Sequence, residues 1–120
     1  MVHLKTTVVV DGLKPEMYFA LGLADAAFAD ENCECVVTAA LDGQHKVGSL
    51  HPQGLAVDLR NEQLRLDQHE RILTKLMRLN KYGFDVVDEK AGASANTTAQ
   101  HFHVEFQPKA GETFWHVGQE

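Results

Sequence analysis

Cysteine is scarce in this chain, with two in 120 residues, so no disulfide framework holds it together. Cys33 and Cys35 sit at i and i+2, a spacing at which a bridge would be badly strained. They read as small core or surface residues rather than as a redox or metal pair. Long apolar runs are missing too. No stretch approaches the ~20 apolar residues of a membrane span, so membrane insertion is not expected. The leading MVHLKTTVVVDG has no basic lead-in, no long apolar centre and no small-residue cleavage site. It does not read as a secretory signal, and the chain is expected in the cytoplasm on synthesis. Positive charge is in deficit, with 11 Lys and Arg against 17 Asp and Glu and a net charge of -6. That balance argues against nucleic acid as a partner and against an anionic membrane surface.

What is present is the makings of one domain over residues 1–120. An apolar fraction of 44% against 23% charged residues suits a packed core rather than a disordered chain. Thr6–Val10 is β-branched and bounded by Asp11–Gly12, which predicts a strand. Pro15 suits a first helical turn, and Met17, Leu21, Ala24 and Phe28 recur on one helical face. That helix should end near Asp30–Asn32. Cys35–Ala39 and Leu55–Leu59 read as strands, and Asp42–Ser49 between them as a loop. A second helix is marked by Asp67 as cap, with Glu70 three residues on as its capping-box partner. Ile72, Leu73, Leu76, Met77 and Leu79 supply its apolar face, Lys75, Arg78 and Lys81 its basic end, and Gly83 its stop. Phe84–Val87 and His101–Phe106 read as further strands, separated by the small polar stretch Lys90–Gln100. Strands and helices mix without strict βαβ alternation, so the expected class is α+β, a small, largely antiparallel sheet with two main helices.

Seven histidines matter chiefly for where they fall. His51 precedes Asp58 by seven residues, and His101 and His103 flank Phe102 in an H-x-H run. On a strand, the two histidines share a face opposite Phe102. Gly54 and Ala56 are small and in phase with Asp58, which leaves room for a metal and its water. Two imidazoles and one carboxylate are a common ligand set for catalytic zinc, with a fourth position left open. Such spacings also arise by chance, and an H-x-H on a strand is often surface decoration.

The run Ser49-Leu50-His51-Pro52-Gln53-Gly54-Leu55-Ala56-Val57-Asp58 resembles the S-x-H-x-x-G-x-A-x-D signature of the zinc D-alanyl-D-alanine carboxypeptidases, whose fold is shared with the hedgehog signalling domain. All five fixed positions are present. GFDVVDE and HFHVEF further on are similar to the second half of that family, in the same order. The resemblance covers about Thr38 to Phe106. It implies the hedgehog and DD-peptidase type of fold and one zinc ion held by His51, Asp58 and His103. It also implies that His101 lies beside the metal, orienting a ligand or stabilising an oxyanion. Relatives carry a catalytic glutamate shortly before the H-x-H pair. No carboxylate stands in Thr97–Gln100, so the resemblance points back to Glu89, with Lys90–Gln100 as an insertion. Asp88 should face the other side of that strand. Glu105 should share the His103 face, as a strand charge or as a partner for a ligand histidine.

Substrate-binding expectations rest on Ser49 within the motif, His45 six residues before His51, and Lys46 or Arg60. Carboxypeptidase relatives place an arginine before the motif to grip a terminal carboxylate, and this chain has Gln44, His45 and Lys46 there instead. Exo- and endopeptidase action both remain compatible. The function implied is a zinc metallopeptidase, acting as a monomer on stem peptides of peptidoglycan. The small size resembles that of phage-encoded lysis enzymes, which need a membrane pore to reach the wall. The alternatives are a non-catalytic zinc-binding interaction module and a structural component of a phage particle with the same fold.

Overall fold

The computed structural model of the protein describes residues 1–42, 49–89 and 100–107. In chain order it holds β1 (Val2–Leu4), α1 (Pro15–Ala29), β2 (Cys35–Ala39), β3 (Ala56–Arg60), α2 (Leu66–Leu76), β4 (Phe84–Glu89) and β5 (His101–Phe106). Short 3-10 turns stand at His51–Gln53, ahead of β3, and at Met77–Tyr82, where α2 tightens before it ends. The strands make one five-stranded sheet in the order β1-β2-β3-β5-β4. All neighbours run antiparallel except β1, which is parallel to β2. This is the α+β architecture expected from the mixed pattern, with a mostly antiparallel sheet and two helices.

Strand β5 shows how the pattern builds the sheet. In HFHVEF, Phe102, Val104 and Phe106 are buried while His101, His103 and Glu105 are half-buried, in strict alternation. The buried set joins Val57 and Leu59 of β3, Phe84 and Val86 of β4, Met17 and Phe28 of α1, and Ile72 and Leu76 of α2 in one hydrophobic cluster. Phe28 meets Phe102 edge to face at 6.4 Å between ring centres. The helices therefore cover one face of the sheet, and the polar residues of β3, β4 and β5 other than Asp88 are left on the other. Among the described residues, no helix is long and apolar enough to cross a membrane.

Two elements differ from their sequence pattern. Thr6–Val10 is not a ladder strand. Its first residues turn, with the Val8 N–H donating to Lys5 O at 3.0 Å, and the paired strand lies earlier, at Val2–Leu4. Val8 and Val10 still pack against the core, so their β-branched pattern reports burial rather than pairing. Helix α2 starts at Leu66 with Arg65 in the cap position, not with Asp67. Gln68 Oε1 accepts the Arg65 N–H at 3.0 Å, so Gln68 makes the reach-back bond expected of Glu70. Asp67 lies inside the first turn and pairs with Arg65 and Arg71. Gly83 does end the segment, at φ +91°.

Candidate metal centre

Strand register brings the candidate residues together. On β3 and β5, Asp58 stands directly across from His103, and Arg60 across from His101. On β4 and β5, Glu89 stands across from His101. Because side chains alternate, Asp58, Arg60, His101, His103, Glu105 and Glu89 all belong to the face away from the helices. His51 arrives from outside the sheet, at the start of the 3-10 turn before β3. Ser49 Oγ accepts the His51 N–H at 3.2 Å. Gly54 closes the turn at φ +74° and returns its N–H to His51 O at 3.0 Å.

The motif glycine has a different task from the one its size suggested. A Cβ on Gly54 would run into the carbonyl oxygen of Gly12, and Gly54 O accepts the Lys14 N–H at 2.9 Å. Gly54 thus lets the His51 turn dock on the segment leading into α1, and it leaves no space for a metal. Ala56, fully buried and level with Glu105, is the small residue that does lie on the Asp58 face. Ser49 Oγ accepts from the backbone of His51 and keeps its own O–H as a donor.

His51, Asp58 and His103 each offer one ligand atom, and these atoms all lie within 4.8 Å of one another. The cluster could hold a metal ion. His51 is 3% exposed. Its Nδ1 is 2.6 Å from Ala40 O, and a carbonyl oxygen can only accept, so Nδ1 carries the hydrogen. Nε2 is then the ring nitrogen that faces the cluster, 3.3 Å from Asp58 Oδ1. His103 Nδ1 is 2.9 Å from the same oxygen, and its Nε2 is 2.6 Å from Glu105 Oε1. Each histidine is thus held on its outer side by an acceptor, one a backbone carbonyl and one a carboxylate. That is how protein ligands to metals are commonly oriented. Glu105 falls where a partner for a ligand histidine would.

Electrostatics follow from this geometry. Burial, the largest single influence, would push the Asp58 carboxyl up, but the hydrogen bonds to His103 and His51 and the nearby imidazole charges together outweigh it and hold the group well below the usual carboxylate range. Burial disfavours the charged form of His103, yet its bonds to Asp58 and Glu105 win and raise it to about 9. In the metal-free protein at neutral pH, a proton therefore sits on His103 Nδ1, the nitrogen that faces Asp58 and would have to ligate an ion held by the cluster. Metal has to displace it, so uptake should release about one proton, and affinity should rise roughly tenfold per pH unit up to about pH 9. Zinc titrations at several pH values check this, and an affinity flat between pH 6.5 and 8.5 contradicts it. The stability of the metal-free fold should run the other way. The His103 contribution is full below its ordinary pKa of 6.5 and is lost as pH rises through about 9.

His101 and Glu89 flank the cluster. His101 Nε2 is 3.6 Å from Asp58 Oδ1 and 3.4 Å from Glu89 Oε2, so it bridges the candidate ligand and the candidate base. Asp88 faces the opposite side of β4, as its alternation requires. It is bound there by His69 Nε2 at 2.8 Å and by Asn61 Nδ2 at 3.3 Å. The His69 ring rests on Phe102 at 4.9 Å. These three residues tie down the end of β4 beside Glu89. No spacing in the sequence announces them, because His69 lies on a helix and Asn61 in the connection before it. Arg60 lies on the site face across from His101. His45, Lys46 and almost all of the 90–100 stretch lie outside the described residues. No protein family, curated protein or solved structure matches the chain.

Proposed function

We propose that the protein is a zinc-dependent peptidase acting on the stem peptides of bacterial peptidoglycan, with His51, Asp58 and His103 as the ligands of one zinc ion. The observation that carries the reading is the triad itself, two imidazoles and a carboxylate with ligand atoms within 4.8 Å and a carboxylate, Glu89, next to it on the same face. The donor set fits the ion. His51 offers Nε2, Asp58 a carboxylate oxygen, and His103 keeps its outer hydrogen bond to Glu105 when Nδ1 gives up its proton. Nitrogen and oxygen donors, three in number, match a catalytic zinc site with one open position better than a closed structural one.

When bound, zinc supplies a Lewis acid that polarises the scissile carbonyl and eases deprotonation of water. The residues of the chain do the rest. Glu89 takes the proton of the attacking water on its carboxylate and hands it to the leaving amine. His101 Nε2, between Glu89 and Asp58, donates to the oxygen on which negative charge grows. Arg60 is the one Lys or Arg in β3, β4 and β5. It offers a partner for a substrate carboxylate, the role that Lys46 would otherwise fill. The choice of peptidoglycan over other peptides rests on the motif resemblance of residues 49–58 and 101–106.

The test is mass spectrometry of purified peptidoglycan after incubation with the protein, with and without a chelator. The expected result is new peptide fragments that disappear with chelator, whose masses name the bond. Intact peptidoglycan from protein shown to carry zinc would replace this reading with that of a zinc-binding interaction module.

A further inference from the structure

We propose that Asp42 is a positioning residue for the ligand His51, acting through the backbone of Ala40. The inference rests on the metal reading above, and no atom of Asp42 belongs to the ligand cluster. One oxygen of Asp42, Oδ1, accepts two backbone N–H groups, from Ala40 at 2.9 Å and from Val9 at 3.0 Å. The Leu41 N–H in turn donates to Val9 O at 3.0 Å. Asp42 thereby ties the chain leaving β2 to the segment that precedes α1.

What this fixes is the direction of the Ala40 carbonyl. The β2–β3 register shifts between Val37 and Ala39, and such an irregularity bends the strand and re-aims the groups beyond it. Past the shift, Ala40 O is not spent on β3. It lies 2.6 Å from His51 Nδ1. The N–H that shares a peptide plane with Ala40 O is that of Leu41, held by Val9 O, while Asp42 Oδ1 holds the Val9 N–H and the Ala40 N–H on either side. With the Ala40 side chain fully buried, that peptide cannot rotate without breaking packing and a hydrogen bond that Asp42 keeps in register. The outcome is chemical. With Nδ1–H committed to Ala40 O, Nε2 is the His51 nitrogen left facing the cluster, so the atom that would ligate is chosen before any metal arrives. Loosening Ala40 would let the ring populate the other tautomer, in which Nε2 carries the hydrogen and cannot ligate. Asp42 thus prepares the site from outside it.

The experiment uses the whole chain labelled with nitrogen-15 in histidine. Nuclear magnetic resonance reads the His51 tautomer in the metal-free protein, and titration with zinc alone reads affinity. Wild-type protein should show His51 as the Nδ1–H form. Asp42→Ala should show a mixture of tautomers and bind zinc roughly tenfold more weakly. Asp42→Asn, which keeps an Oδ1 acceptor, should restore both readouts to within about twofold of wild type. A turn-holding role alone would lower the thermal midpoint of Asp42→Ala and leave its tautomer and zinc affinity as in wild type, which would overturn the proposal. Should Asp42→Ala not fold, the tautomer in wild type and Asp42→Asn decides: Nδ1–H in both supports it, and Nε2–H in either overturns it. Wild-type protein that takes up no zinc would remove the metal reading, while the tautomer would still show whether Asp42 fixes His51.

Discussion

Asp58→Ala should lose zinc while the chain keeps its fold. Asp58 is the point on which three imidazoles converge, with His103, His51 and His101 at 2.9, 3.3 and 3.6 Å from its Oδ1. It is the only anionic donor of the triad, and without it two histidines remain, too few for a protein site that leaves a position open for chemistry. The loss should exceed the roughly 10–100-fold that changes outside the ligand shell typically cost. The fold should persist because His103 still has Glu105 as a partner, so no charge is stranded in the site. The hydrophobic cluster lies on the other side of the sheet. Zinc titration together with thermal unfolding checks both halves. Wild-type zinc affinity in this variant would mean that the ion binds elsewhere.

Glu89→Gln should do the converse, keeping zinc and losing turnover. Glu89 is no member of the ligand cluster, and within the site it pairs with His101. Glutamine fills the same volume at the end of β4 but cannot take a proton. Removing a general base should lower kcat by roughly 10²–10⁴-fold, with KM changed little because the amide leaves the shape of the site as it was. Rates of fragment release from peptidoglycan, measured beside zinc content, check it. Undiminished turnover would require a different proton carrier. Such a result would leave the metal site standing.

The candidate ligand triad was legible because residue type and spacing allowed it and the resemblance of residues 49–58 and 101–106 to a zinc-peptidase motif singled out its members. His51 and Asp58 belong to one ten-residue run, and the period of two in HFH places both histidines on one face of a strand. Register then does what no local pattern could, setting Asp58 opposite His103 across 45 residues of chain. The helices were legible from the spacing of Met17, Leu21, Ala24 and Phe28 and of Ile72 and Leu76. Their exact starts were not, because Arg65 with Gln68 competes with Asp67 for the cap of α2. Thr6–Val10 misled because burial and strand pairing favour the same β-branched residues. What sequence could not disclose is work done by the backbone. The Ala40 carbonyl that sets His51, and the Gly12 carbonyl that leaves no room for a side chain at Gly54, have no side-chain signature at all. The Asp88 anchor of His69 and Asn61 was hidden for a related reason, since its three members come from a strand, a helix and a connection with no common spacing.

The most direct test of the central claim is anomalous diffraction from crystals of the full chain grown with zinc, recorded at the zinc absorption edge. One strong peak is expected at about 2.0–2.2 Å from His51 Nε2, an Asp58 carboxylate oxygen and His103 Nδ1. A map with no peak among these three atoms, or with its only peak on surface carboxylates, would contradict it.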